Sequence, residues 1–404
     1  MHATIIVRFA TSTLLTGLFA AALVPAIAAA PPVETEPTLK AADFKGLPPL
    51  SGAGYRIQPT VPVSGYQGQF TVKSDLGDVT ADGTEQLRQR VGEVGAAAQL
   101  EKMSTSDVFV KALAQSTARS AEAVGKAVAH PVDTLKAVPA GLGRFFGSAK
   151  KAVSDTVSDG GASVNDAMGV GKARRQIAHQ VGVDPYSSNP LISSRLDDLS
   201  KAAFAGGVSL DVAFAVATGG AAAAVSFTKT VSNLAWELPP EDIRERNQKD
   251  LAAMKVDEST RKALLNNGSY TPTLALAFVD ALKTLGVTEG ADAFTQLASD
   301  ASTETEARFY IDQLRMAHVY GKQHGRIESI DTAGQIGVMN AGGKRFVPMP
   351  VDYLSWTEGV KTAIESGRFG TKERIAWFTG ELSPNARKAF KEARWIVREN
   401  APRA

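Results

Sequence analysis

Apolar residues recur every three to four positions along most of this chain, the spacing that lines one face of a helix. Leu87, Val91, Val94 and Ala98 mark one such face after Thr84, a residue type that caps helix N-termini. Ser104 with Asp107 resembles a capping box and opens a second helix, through Val108, Leu113, Ala121 and Val124 to a stop at Pro131. Asn189 and Pro190 start another, with Leu191, Leu196, Leu199 and Phe204 on its face. Beyond Pro239–Pro240 come a charged helix, one from Thr271–Pro272 to Gly286, and one boxed by Thr303 and Glu306 that runs to Tyr320. Ser355 with Glu358 boxes a helix to Ser366. Ser383–Pro384 starts a last one, with Ala386, Phe390, Ala393 and Val397 inward.

In two places the period drops from 3.6 to 2. Tyr55–Ile57, Gln69–Lys73 and Val79–Ala81 read as short strands, with a turn at Ser74-Asp75-Leu76-Gly77. Arg326–Ile330, Gln335–Met339 and Lys344–Met349 read as three antiparallel strands with glycine turns at Gly334 and Gly342–Gly343. The expected fold is mainly α with two small antiparallel β elements (α+β). Its centre is the Ala/Gly-rich stretch Phe204–Trp236, read as a buried helix or a helical hairpin broken at Gly219–Gly220. Val212–Thr228 within it carries no charge, yet sits at the short end of the ~17–25 residues a spanning helix needs. Its apolar content is mostly Ala, which adds little to insertion. Burial in solution with exposure on contact with a membrane is the other reading of that stretch.

The first residues give an address. Arg8 supplies a positive n-region, Phe9–Val24 an uncharged h-region, and Ala26-Ile27-Ala28 a cleavage site. The expected organisation is a signal peptide over 1–28 cleaved after Ala28, a flexible leader over 29–54, an N-terminal β-hairpin and helical region over 55–238, and a C-terminal helical region with a three-stranded element over 239–404. The localisation expected is the periplasm or beyond. A net charge of +2 and 7% aromatic residues give no field and no stacking surface for nucleic acid. With no cysteine there are no disulfide partners, thiol nucleophiles or thiolate metal sites.

Catalytic patterns are sparse. Gly171–Lys172 lacks the Ser or Thr of a phosphate loop, and no H-E-x-x-H or G-x-S-x-G occurs. Three S-x-x-K pairs (Ser148/Lys151, Ser226/Lys229, Ser259/Lys262) lack the later Lys-Thr-Gly of the penicillin-recognising enzymes. No cofactor and no metal site is expected. His318 and His324, with Asp331 and Asp352, form the one titratable group of interest, because a His–Asp pair does acid–base work. Catalytic candidates are therefore His318 and Asp352. Binding candidates lie in Arg144–Val157, a basic amphipathic helix in which Arg144, Phe145, Lys150 and Lys151 would meet a protein partner or an anionic membrane surface.

Three stretches, Asp184–Pro190, Phe346–Thr357 and Trp377–Arg387, resemble segments of uncharacterised secreted proteins of Gram-negative bacteria. The resemblance implies export and one shared architecture, and brings no reaction or cofactor. The expected function is that of an exported cell-envelope protein that binds a protein partner or a membrane surface without catalysis. The alternative is a periplasmic hydrolase with a His/Asp site in the C-terminal half.

Overall fold

The structure is a computed structural model that describes residues 31–105, 164–206 and 227–403. β1 (Thr38–Lys40), β2 (Ser51–Gly52), β3 (Tyr55–Ile57), β4 (Thr60–Ser64), β5 (Gln67–Ser74) and β6 (Val79–Asp82) form a six-stranded sheet. β5 is its spine and pairs antiparallel with β3, β4 and β6. Alternation along β4 buries Val61 and Val63 and leaves Thr60 and Pro62 exposed. The β4–β5 hairpin turns on Gly65 (φ 57°) and Tyr66 (φ 65°). Two successive positive φ values match the right-handed twist of the strands they join. The Glu36 carboxylate holds that turn by accepting from Gly65 N (2.9 Å) and Tyr66 N (2.6 Å).

Helices follow: α1 (Thr84–Ser104), α2 (Val164–Val181), α3 (Pro190–Gly206), α4 (Lys229–Glu237), α5 (Pro240–Ala253), α6 (Glu258–Leu265), α7 (Pro272–Leu285), α8 (Ala291–Ser299) and α9 (Glu304–His324). Their starts are chemically marked. Asn189 Oδ1 accepts from Leu191 N before α3, and Thr271 and Thr303 accept from Leu274 N and Glu306 N before α7 and α9. α7 ends at Gly286 in the left-handed conformation that glycine adopts without strain.

The chain then builds β7 (Ser329–Ala333), β8 (Ile336–Ala341), β9 (Lys344–Met349), β10 (Tyr353–Leu354), α10 (Glu358–Glu365), β11 (Arg374–Phe378), β12 (Glu381–Leu382), α11 (Pro384–Glu392) and β13 (Ile396–Arg398). A five-stranded sheet runs β13-β11-β9-β8-β7, antiparallel through β7, β8 and β9 and parallel from β9 to β11 to β13. β10 and β12 form a separate parallel pair. The main apolar core lies between this sheet and α7 to α9. Phe294 is its hub, stacked on Phe278 at 6.1 Å and edge-on to Tyr310 at 5.8 Å. Gly337 in β8 makes room for it, since a Cβ there would come within 2.5 Å of the Phe294 ring. Smaller cores join α1, α2 and α3 through Leu100, Ile177 and Leu196, and seat α1 on the first sheet through Phe70, Val72 and Leu87.

The expectation of a mainly α chain with two small antiparallel β elements is corrected. Among the described residues there are 13 strands in three sheets, the largest of six and five strands. The physical reasons are local. β11 is buried over Ile375–Phe378, so it reads as an apolar run without alternation, as parallel strands do. β4 carries a proline, which weakens its strand signature. The last helix stops at Glu392, because Arg394 turns left-handed (φ 58°) and Ile396–Val397 continue as β13. Val397, expected on the helix face, is a strand residue. Residues 31–54 contribute β1, β2 and a short 3-10 turn at Ala41–Asp43. The expected central helix or hairpin, Val212–Thr228, lies almost entirely outside the described residues.

Candidate functional site

Two polar stripes meet inside the protein. On α1, Gln86, Gln89, Arg90 and Glu93 recur at helical spacing and are all buried. On α9, Glu304, Arg308, Asp312 and Arg315 recur at the same spacing along the facing side, Asp312 buried and the other three half-buried. The apolar face of α1, with Leu87 and Val94, is turned to the first sheet, so its polar face is left for α9. The turn Asp184–Asn189 seals one end of this seam and Arg403 the other.

Glu93 is fully buried and accepts from four donors. These are Gln89 Nε2 (2.9 Å), Arg90 (2.9 Å), Asn189 Nδ2 (2.8 Å) and the Ser187 hydroxyl. Arg90 also donates to Ser188 Oγ at 2.8 Å. Glu304 accepts from Arg308 Nε (2.8 Å), Gln86 Nε2 (3.2 Å) and the Ser188 hydroxyl. Burial would raise the Glu304 carboxyl, but the guanidinium groups of Arg308 and Arg90 outweigh it and hold the group down at about 2. Asp184, which accepts from Thr273 Oγ1 (2.6 Å) and Tyr186 N (2.9 Å), goes the other way. Its burial dominates and pushes the carboxyl up to about 6.

At the far end, Arg403 lies 3.3 Å from Glu85 and 3.2 Å from Asp312. Burial works against its charge, yet Asp312, Glu85 and Asp352 together hold it protonated. Asp352 sits just beyond. It accepts from Gly68 N (3.1 Å), Thr84 N (2.9 Å) and Thr84 Oγ1 (2.7 Å). Burial raises its carboxyl despite the Arg403 charge and these bonds. Thr84, expected to cap α1 with its own side chain, instead follows Gly83 (φ 88°), and the cap comes from Asp352.

Asp352 also lines a cavity of about 210 Å³ bounded by Phe44, Lys45, Thr84, Tyr353 and Glu381. Lys45 and Glu381 pair at 3.0 Å among its lining residues. That volume equals roughly seven waters at ~30 Å³ each, below the ~300–1,000 Å³ of ordinary ligand pockets. A second cavity of about 20 Å³, lined by Gln67, Glu85, Arg308, Asp312 and Arg403, lies in the seam. It has the room of about one water.

Of the sequence candidates, Asp352 is in the seam and His318 is not. His318 is half-buried on α9, where burial and then the nearby Lys322 charge lower its pKa. It is not among the partners of Asp352 and lines neither cavity. His324 packs tilted against Tyr320 (4.7 Å) and edge-on to Trp377 (5.7 Å), and Asp331 pairs with Arg345 (2.9 Å). Arg144, Phe145, Lys150 and Lys151 lie outside the described residues. Lys262 of one S-x-x-K pair is bound to Glu258 at 2.6 Å. Among the described residues no group of three or more His, Asp or Glu side chains could hold a metal ion, and no helix is long and apolar enough to cross a membrane.

Sequence reasoning missed Arg90, Glu93, Glu304, Arg308 and Arg403. No local signal marks them: charged and amide side chains opposite an apolar face are what an ordinary solvated helix face also shows. Comparison with known protein families, characterised proteins and solved structures finds no match.

Proposed function

We propose that this chain is an exported cell-envelope protein that acts by binding a protein partner and not by catalysis. Export rests on the leader pattern at Arg8, Phe9–Val24 and Ala26–Ala28. One observation carries the rest: Asp352, the candidate acid that does reach a cavity, is committed to Gly68 N and both Thr84 groups as the cap of α1. A general base must reach a substrate proton at hydrogen-bond distance, and releasing this carboxylate for that work would uncap the helix. The other buried carboxylates of the seam are equally engaged. With the carboxylates of the seam paired to neighbouring donors, the exposed surface is what the protein has to offer a partner.

The test is fractionation of the native host into soluble periplasm, inner and outer membrane, with salt and then carbonate washes, followed by crosslinking. The expected result is a mature chain in the envelope fractions, crosslinked to protein and released by salt. Retention through carbonate would place Val212–Thr228 in the bilayer and overturn the reading. A freely soluble chain that crosslinks to nothing would overturn it as well.

A further inference from the structure

β13 is an edge strand with one side open. Among the described residues it pairs only with β11, in parallel register (Ile375 with Ile396, Trp377 with Arg398), and no strand of the five-stranded sheet lies beyond it. An unpaired edge presents a row of N–H and C=O groups that a further strand can use. Ile396 is 52% exposed, the most exposed large apolar side chain among the described residues.

This edge is held in place. Before it, Arg394 is left-handed (φ 58°) and Trp395 is buried between Phe369 and Phe390. After it, Asn400 is left-handed (φ 51°), with its N–H on Gly380 O (3.0 Å) and Ala401 N on Phe378 O (2.8 Å). Arginine enters this region only where its surroundings impose it, whereas Asn400 is of a type that adopts it readily. The strand is therefore presented already extended, and little ordering entropy is left for a partner to meet.

Its charge is one-sided. Glu399 is taken by Arg387 (2.7 Å) and Glu392 by Lys388 (3.8 Å). Arg398 lies over the Trp377 ring at 4.4 Å. Lys391 and Arg394 are exposed and have no acidic partner among the described residues. Cations on an edge suppress pairing with a second copy of the same edge, since like charges would meet. The same cations favour an acidic strand.

We propose that β13 takes an extended acidic segment of a partner protein as an added strand, with an apolar side chain of that segment on Ile396. Main-chain bonds would hold the segment, and Lys391, Arg394 and Arg398 would select its charge. The proposal rests on the partner-binding reading and gives that partner a chemistry.

The test titrates the full mature chain against a labelled eight-residue peptide alternating Glu and Val, read by fluorescence anisotropy, with amide exchange followed at residues 396–398. The controls are a Lys/Val peptide and a Glu/Val peptide with Pro at alternate positions. The expected result is saturable binding of the acidic peptide alone, weakened by salt, with slowed exchange in β13. Lys391→Glu with Arg394→Asn, the latter suited to a left-handed position, should weaken binding about tenfold, as should Ile396→Asp. Both variants change exposed side chains, and their circular dichroism should match the parent. Equal binding of the three peptides, or no response to either variant, overturns the proposal. So does dimerisation in sedimentation that Ile396→Asp abolishes, because the occupant is then a second copy. If the peptide fails while the envelope partner still crosslinks, the edge is wrong and the partner-binding reading stands; if neither occurs, both fall.

Discussion

The core around Phe294 and the seam between α1 and α9 are both buried, and they are held together by opposite means. The core is dry and non-directional: Phe278, Phe294 and Tyr310 gain by leaving water and by close packing. The seam has taken charges out of water, which is unfavourable unless each one is paired and hydrogen-bonded. It meets that condition by redundancy, as when Glu93 receives four donors. The lesson is that a dense cluster of acids, bases and hydroxyls inside a protein can be architecture. What separates architecture from a catalytic site here is whether any group has an unspent valence facing open space.

The contrast can be broken from either side. The largest effect should come from Glu93→Ala, which strands Arg90, Gln89, Ser187 and Asn189 together; a loss of about 5 kcal/mol is expected, at the upper end for breaking a buried pair. Adding Arg90→Met to Glu93→Leu should recover part of that loss, because the buried charge then goes with its partner, while Gln89, Ser187 and Asn189 stay without their acceptor. Urea unfolding of the single and double variants checks both, and a double variant as unstable as the single would mean that the pair itself is net stabilising. Phe294→Ala should cost about 4 kcal/mol by transfer and cavity effects, with no rescue from any second polar change.

The smallest effect has the opposite sign. Asp184, raised to about 6, binds its proton more tightly in the folded protein than in the unfolded chain. Its contribution to stability therefore grows as pH falls through about 6 and levels off below the ordinary carboxylate range. Above pH 6 the buried charge is a net penalty. Asp184→Asn should be more stable than the parent at pH 7.5, by on the order of 1–3 kcal/mol, and should lose part of the rise in stability between pH 7 and 5. Glu304 runs the other way: held at about 2, it stabilises above the unfolded carboxylate range and loses that contribution as pH falls towards 2. An Asp184→Asn curve parallel to the parent's from pH 7.5 to 5 would show that the carboxylate is solvated.

Sequence patterning carried the dry core well. The α7 face of Leu274, Phe278 and Leu282 and the α9 face of Tyr310, Ile311 and Leu314 are buried as their spacing predicts. The strands of the β7–β9 meander are within a few residues of their expected bounds. The parallel strands β11 and β13 were illegible because their signature depends on neighbours far along the chain. The seam was illegible for a related reason. Gln86, Arg90 and Glu93 look like a solvated helix face until α9 is set against them, and nothing local in Thr84 shows that its cap is Asp352. His318 and Asp352 were drawn together by chemical type alone, and the fold gives them separate surroundings.

The Asp352 cap has a consequence in time. A side chain that caps its own helix closes a loop of a few residues, whereas Asp352 and Thr84 are 268 residues apart. If that contact formed first, the loop would cost about 4 kcal/mol more to close than a three-residue one, by the logarithmic scaling of chain closure. It must therefore form late, after the intervening elements have shortened the path. During synthesis residue 84 precedes residue 352, so the start of α1 stays uncapped until almost the whole chain has emerged.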